Sequence, residues 1–143
     1  VIPAQSNLVD LSKIDFDELK KRFMNDNKHM EAEKLRGAIN SKVKRMVRLN
    51  KLRLNLSEKL EELINKYNSG SINIEIFFEE LTELARELTE EDKRAISENL
   101  TEEELAIFDL LDKGDLTESD KNQVKKASRN LLETLKKKKL VLD

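Results

Sequence analysis

The side chains that could carry out chemistry in this sequence are few in kind, although charged residues are plentiful. The chain of 143 residues has one histidine and no cysteine, while Asp, Glu, Lys and Arg make up 39% of it. A single imidazole, His29, cannot build a His-based zinc site, and we expect it on the surface near a helix start. Carboxylates such as Glu79, Glu80 and Glu83 recur at helical spacing on solvent faces, where nothing would raise a pKa for acid–base work. We therefore predict no catalytic residue, no metal ligand and no cofactor-binding residue.

The clearest glycine signal lies in "NKYNSGSINIEIFFEEL", residues 65–81. A phosphate-binding Walker loop requires G-x-x-x-x-G-K-[ST] after a strand, whereas Gly70 has no second glycine near it and follows a helical pattern. We predict instead that Gly70 ends a helix in the left-handed conformation and that Ser71 or Asn73 caps the next helix. This segment is then the turn of an αα-hairpin.

A basic stretch, "SKVKRMVRLNKLR", is the feature whose function is most open. Its basic side chains could neutralise DNA phosphates, or they could pair with acidic residues of the same fold or of a partner protein. No aromatic residue is interleaved with them, which disfavours stacking on single-stranded nucleic acid. The candidate contact residues are Lys42, Lys44, Arg45, Arg48, Lys51 and Arg53.

A short repeat occurs three times, as "LTEED", "LTEEE" and "LTESD". In each copy a threonine precedes an acidic residue by three positions, which is the spacing of a helix capping box. The pattern predicts three helix starts rather than a binding site. The predicted caps are Thr89, Thr101 and Thr117.

The elements that carry these residues are predicted to be helices throughout. Proline occurs once and glycine three times, and the apolar residues recur at helical spacing. The fourth helix has the strongest amphipathic pattern. Gly37 in the second helix suggests a close contact with another helix. The last helix should turn four residues inward: Val124, Ala127, Leu131 and Leu135. We predict helices near residues 16–24, 29–49, 56–67, 74–88, 90–97, 102–111 and 118–138, the third capped by Asn55 or Ser57.

The predicted fold is therefore all-α, a single array of six or seven mostly antiparallel helices joined by short capped turns. Residues 1–143 should form one helical domain with a short extension over residues 1–14. The absence of cysteine fits a reducing, cytoplasmic setting, and no apolar run approaches the roughly 20 residues of a membrane span. Because the chain opens on Val1 and ends after "LVLD", we expect it to be a fragment of a larger multidomain protein.

Charge is distributed unevenly along the chain despite a formal net charge of −2. Residues 1–27, 28–53, 54–120 and 121–143 carry net charges of −1, +7, −14 and +6. Two basic segments thus flank an acidic one, and pairing between them would leave fewer basic groups for an external partner.

Five segments in this order resemble a known family. They are "IDFDELKKRF", "EAEKLRGAI", "KRMVRLN", "EKLEELINKYNSGS" and "TEEELAIFDLL". Together they resemble the C-terminal helical region of the restriction (R) subunit of type I restriction-modification enzymes, HsdR-like proteins. The resemblance extends over about residues 11–142, and the order of the segments is more specific than any one of them.

The resemblance implies a part of an ATP-dependent DNA translocase and site-specific deoxyribonuclease. In that family the nuclease and motor domains precede this region, so ATP and Mg²⁺ are expected only there. The helical region is associated with docking onto the methyltransferase (M) and specificity subunits, which are the implied partners together with the remaining R-subunit domains. The DNA backbone is the alternative partner, through residues 42–53. Exposed apolar positions such as Ile76 and Ile107 would contribute to binding.

Overall fold

The computed structural model describes residues 11–112 and 114–142, and every regular element within these ranges is helical. Short 3-10 turns occupy Leu11–Lys13 and Lys51–Arg53. The α-helices are α1 (Phe16–Asn25), α2 (Lys28–Leu49), α3 (Leu54–Asn68), α4 (Ile74–Ser97), α5 (Glu102–Leu111) and α6 (Glu118–Leu142). The predicted all-α array of six or seven helices is confirmed, whereas residues 1–10 of the predicted extension lie outside the described residues.

One large apolar cluster contains residues from α1, α2, α3 and α4, and the most extensive contact is between α2 and α4. The apolar residues at helical spacing in α2, namely Ala32, Leu35, Ile39, Val43 and Met46, are all buried, and so is the corresponding stripe of α4 from Phe77 to Leu88, because both patterns repeat at the helical period. Two stacked aromatic pairs add to this packing: Phe23 with Phe78, 3.9 Å between ring centroids, and Tyr67 with Phe77 at 4.3 Å.

A hairpin turn joins α3 to α4 as predicted. Gly70 has a φ of +80°, its N–H donates to the carbonyl of Tyr67, and Ser71 N–H donates to the carbonyl of Lys66. These two bonds form a Schellman motif, which satisfies carbonyls that the end of the helix would otherwise leave free. Asn73 then caps α4, its Oδ1 accepting from Ile76 N–H at 2.9 Å.

Two of the three predicted threonine caps are confirmed, and the third is wrong. Thr101 forms a full capping box with Glu104, and the hydroxyl of Thr117 accepts from Asp120 N–H at 3.2 Å. Thr89 instead lies inside α4, where its hydroxyl donates to the carbonyl of Ala85 at 3.0 Å. The fourth and fifth predicted helices are therefore one continuous helix.

That helix continues through Thr89 because its apolar side remains covered. Leu88 is fully buried, and Ala95 lies in a second, smaller apolar cluster with Leu100, Leu105 and Phe108. The helix ends at Ser97, and Asn99, with a φ of +60°, forms a second Schellman motif just after it. Val124 of α6 packs on this smaller cluster.

Two details of α2 and α3 also differ from prediction. α3 begins at Leu54 without a side-chain cap, because the 3-10 turn before it leads directly into the helix, so neither Asn55 nor Ser57 caps it. A Cβ placed on Gly37 would meet nothing within 4 Å, so no close helix contact explains this glycine.

Candidate interaction surfaces

The six basic residues predicted as contacts divide into an inner pair and an outer group. Lys42 Nζ lies 2.8 Å from Asp92 Oδ2, and the Arg53 side chain is only 4% exposed. Arg53 Nε donates to Glu91 Oε2 at 2.6 Å, and its Nη2 lies 2.9 Å from Glu102 Oε2. Both residues thus pair with the acidic segment of the same chain and are unavailable to an external partner.

Arg53 belongs to a larger network that ties α4 and α5 to the α2–α3 corner. Arg94 donates through two nitrogens to Asp109 and through two to Glu91, at 2.5–3.0 Å. Asn50 Nδ2 adds a bond of 2.7 Å to Asp109. Hydrogen bonding to Asp109 raises the pKa of Arg94 above its ordinary value. Paired, doubly hydrogen-bonded charges of this kind fix geometry, so the network aligns the larger apolar cluster with the smaller one.

The outer group comprises four residues that the structure leaves in solvent. Lys44, Arg45, Arg48 and Lys51 are exposed, and none forms an ion pair within residues 11–112 and 114–142. Spacing of three and four residues sets the first three on one face of α2. Exposed leucines lie beside them at the corner between α2 and α3, namely Leu49, Leu52 and Leu54.

A second uncovered surface lies on α6. The prediction that Ala127, Leu131 and Leu135 face inward is wrong: Ala127 is exposed, and the two leucines are 42% and 50% exposed. The half-buried or buried residues Val124, Ser128 and Leu132 recur every four positions and form the covered face of α6, so the predicted residues lie on a neighbouring face of the helix. Only Ser128 of α6 is fully buried among its described side chains.

The remaining predicted residues can also be located. His29 is exposed and its Nδ1 lies 3.2 Å from the Tyr67 hydroxyl, while Ile76 is 41% exposed and Ile107 is partly buried. In the described part of the chain, no group of three or more His, Cys, Asp and Glu side chains is arranged to hold a metal ion. None of the described helices has the length and apolar character needed to cross a bilayer.

The sequence did not identify Arg94, Asp109 and Asn50 as a unit. Arg94 and Asp109 are 15 positions apart and lie on different helices, so no local spacing links them. The only available signal was the opposite charge of the basic and acidic segments, which predicts that they pair but cannot assign partners.

Comparisons with known proteins agree with the resemblance noted above. Searches of curated proteins and of solved structures give no match. A family model described as "Type I restriction enzyme HindI endonuclease subunit-like, C-terminal" matches residues 3–143. Since that match spans nearly the whole chain, the protein belongs to this family of C-terminal domains of type I restriction enzyme subunits.

Proposed function

We propose that this chain is a non-catalytic assembly module, which docks the motor and nuclease subunit of a type I restriction enzyme onto its methyltransferase–specificity core. ATP and Mg²⁺ act in other domains of that subunit, in the cytoplasm. The observation that carries the proposal is the uncovered apolar face of α6. Leu131 and Leu135 lie four residues apart on α6, and their side chains are 42% and 50% exposed. Such a face is stabilised when a partner covers it.

The composition of the smaller cluster supports the same function. Only four apolar residues are buried in this cluster. Ile96, Leu110 and Leu111, which are close to it in sequence, are exposed, and the two leucines of α6 are exposed as well. A unit with so little buried apolar surface gains stability from binding. Docking through α6 would enlarge this core.

Co-elution with the methyltransferase–specificity core tests the proposal. Replacing Leu131 and Leu135 with Glu should weaken binding by about tenfold or more. Docking removes the apolar surface of each leucine from water, and the variant loses this favourable contribution. The matched control is Asn122→Glu with Asn130→Glu, which adds the same charge at exposed positions of α6 outside the leucine stripe. Equal binding by both variants, or no binding by the unaltered chain, would contradict the proposal.

A second candidate function is contact with the DNA backbone. It is supported by the four exposed basic side chains of the outer group, for which no acidic partner occurs within the described ranges. Phosphate contacts depend on salt, with a slope in log K of about −0.9 per phosphate neutralised. Loss of all four contacts should therefore reduce the slope by about 3–4.

Replacing Lys44, Arg45, Arg48 and Lys51 with Glu distinguishes the two functions. The control replaces four other exposed lysines, Lys20, Lys21, Lys126 and Lys138, and so changes net charge equally. If only the first variant loses salt-dependent DNA affinity while docking survives, the outer group contacts DNA. If it loses docking instead, these residues form part of the protein interface.

A further inference from the structure

An acidic groove runs between α3 and α4 on the solvent side of the hairpin. Its volume is about 500 Å³. Among the residues that the structure describes, the glutamates along it are Glu62 from α3 and Glu79, Glu80, Glu83 and Glu87 from α4, and the basic residues are Lys59 and Lys66. These seven groups carry a net charge of −3.

Apolar side chains form the floor of the groove. Leu63 and Leu84 reach it from the larger core and are themselves buried, whereas Ile76 is 41% exposed. Ile76, Glu80, Glu83 and Glu87 follow one another at intervals of four, three and four residues, so they lie along one line of α4. At about 1.5 Å per residue, this line is about 16 Å long, which corresponds to about three turns of a helix.

The acidic charge of the groove is only partly compensated. Lys59 Nζ lies 2.7 Å from Glu87 Oε1 across one end, and Lys66 lies 3.4 Å from Glu62 along α3. Glu79 and Glu80 form no ion pair with any residue of the described ranges, and they lie beside Ile76 at the end nearer the Gly70 turn. An exposed apolar residue beside uncompensated carboxylates suits a partner that brings both apolar and basic groups.

We propose that this groove binds a basic amphipathic helix of a partner subunit. The helix would lie along the groove for about three turns, with an apolar side chain on Ile76 and with Lys or Arg side chains beside Glu79 and Glu80. The inference rests on the proposed docking function and assigns to it a second contact, separate from α6. The occupant is identified by charge complementarity: the groove attracts a cationic helix and repels an anionic one.

The test measures affinity of the full chain for the methyltransferase–specificity core at low and high salt. Glu79→Lys with Glu80→Lys should weaken binding by about tenfold or more near 0.1 M salt, with a smaller effect near 0.5 M, because added ions screen exposed charges. Ile76→Ser should weaken binding about equally at both salt concentrations, since it removes apolar contact. Because Ile76 is 41% exposed, its replacement should leave the fold intact. Thermal unfolding of each variant checks that it is folded.

Glu58→Lys with Glu61→Lys is the matched control. Both residues are exposed on α3 and neither lines the groove, so the variant changes net charge equally. The groove proposal requires this control to bind as the unaltered chain does. If the groove and control variants bind equally well while the α6 variant loses binding, docking stands and the groove proposal is overturned. If the unaltered chain does not bind the core, both proposals are overturned.

Discussion

At the scale of single residues, Gly70 and Gly37 offer opposite tests of backbone conformation. A Cβ at either position would meet nothing within 4 Å, so packing does not contribute to the comparison. Gly70 has a φ of +80°, where a β-branched residue is strained, and Gly70→Val should cost about 1 kcal/mol or more. Gly37 lies inside α2, and Gly37→Ala should add about 0.5–1 kcal/mol of stability. Urea unfolding measures both, and changes of the same sign would contradict the assignment.

Arg53 and Lys42 differ in burial, and this difference predicts unequal costs of removal. Arg53→Met leaves Glu102 without its close cation and removes one of two cations from Glu91. Breaking a buried pair typically costs about 3–5 kcal/mol, and the 19% and 29% exposure of the two carboxylates lowers our expectation to about 2–3. Lys42→Met should cost less than about 1 kcal/mol, because Asp92 is 36% exposed. If urea unfolding showed that Arg53→Met and Lys42→Met lower the free energy of unfolding equally, the Arg53 network would not be a stabilising unit.

At the scale of elements, the sequence predicted helix positions well and one junction badly. The apolar period predicted the buried faces of α2 and α4, since both are set by local spacing. A threonine followed three residues later by an acid looks the same at Thr89, inside a helix, as at Thr101, at a helix start. The two sites differ in whether the preceding residues are already helical. At Thr89 they are, because Leu88 is buried in the core and the Thr89 hydroxyl donates to the carbonyl of Ala85 in the same helix. Which of two neighbouring faces of α6 is covered likewise cannot be read from the pattern of one helix, since the covered face runs through Val124, Ser128 and Leu132.

The contact between the end of α4 and α6 predicts a pH dependence. Lys125 Nζ lies 2.9 Å from Glu98, and its hydrogen bond holds the pKa of Glu98 below its ordinary value. A carboxylate with a lowered folded-state pKa stabilises the fold above its unfolded-state pKa, about 4.3, and this contribution is lost as pH falls through the folded-state value. Glu98→Gln should therefore destabilise the protein at pH 7 and have little effect in strong acid.

Urea midpoints at pH 7, 5 and 3 measure this difference. Glu103→Gln is the control, because Glu103 lies 3.9 Å from Lys136 and both side chains are more than half exposed. Exposed pairs of this kind contribute little to stability. A Glu98→Gln variant that follows the unaltered chain at every pH would show that the contact does not stabilise the attachment of α6.

At the scale of the whole molecule, the uneven charge of the sequence is partly compensated by ion pairs within the fold. The basic segment 28–53 contributes Lys42 and Arg53 to the acidic segment, and the C-terminal basic segment contributes Lys125. The sequence could predict this attraction but not which cations remain outside, because that depends on the face of α2 that packs against α4. The same limit applied to the groove: its glutamates were predicted to be solvated, but only the pairing of α3 with α4 brings them beside Ile76.

The unequal size of the two apolar clusters predicts how the molecule unfolds. The larger cluster buries 18 apolar residues between Leu11 and Leu88, and the smaller one buries four between Ala95 and Phe108. We expect a fragment of residues 1–98 to remain helical and to unfold cooperatively, with reduced stability because Arg94 loses Asp109. A fragment of residues 99–143 should be largely unfolded, since two helices with so small a core cannot offset their conformational entropy.

The full chain should nevertheless unfold in one transition, as expected for one helical domain. The continuous helix α4 contributes residues to both clusters, and the Arg53 network connects one cluster with the other. Unfolding of either cluster would therefore remove contacts that stabilise the other. Far-UV circular dichroism and calorimetry of the chain and of both fragments would measure this coupling. Two separate transitions in the full chain, or a folded fragment of residues 99–143, would mean that α5 and α6 form a unit of their own and that the one-domain prediction is wrong.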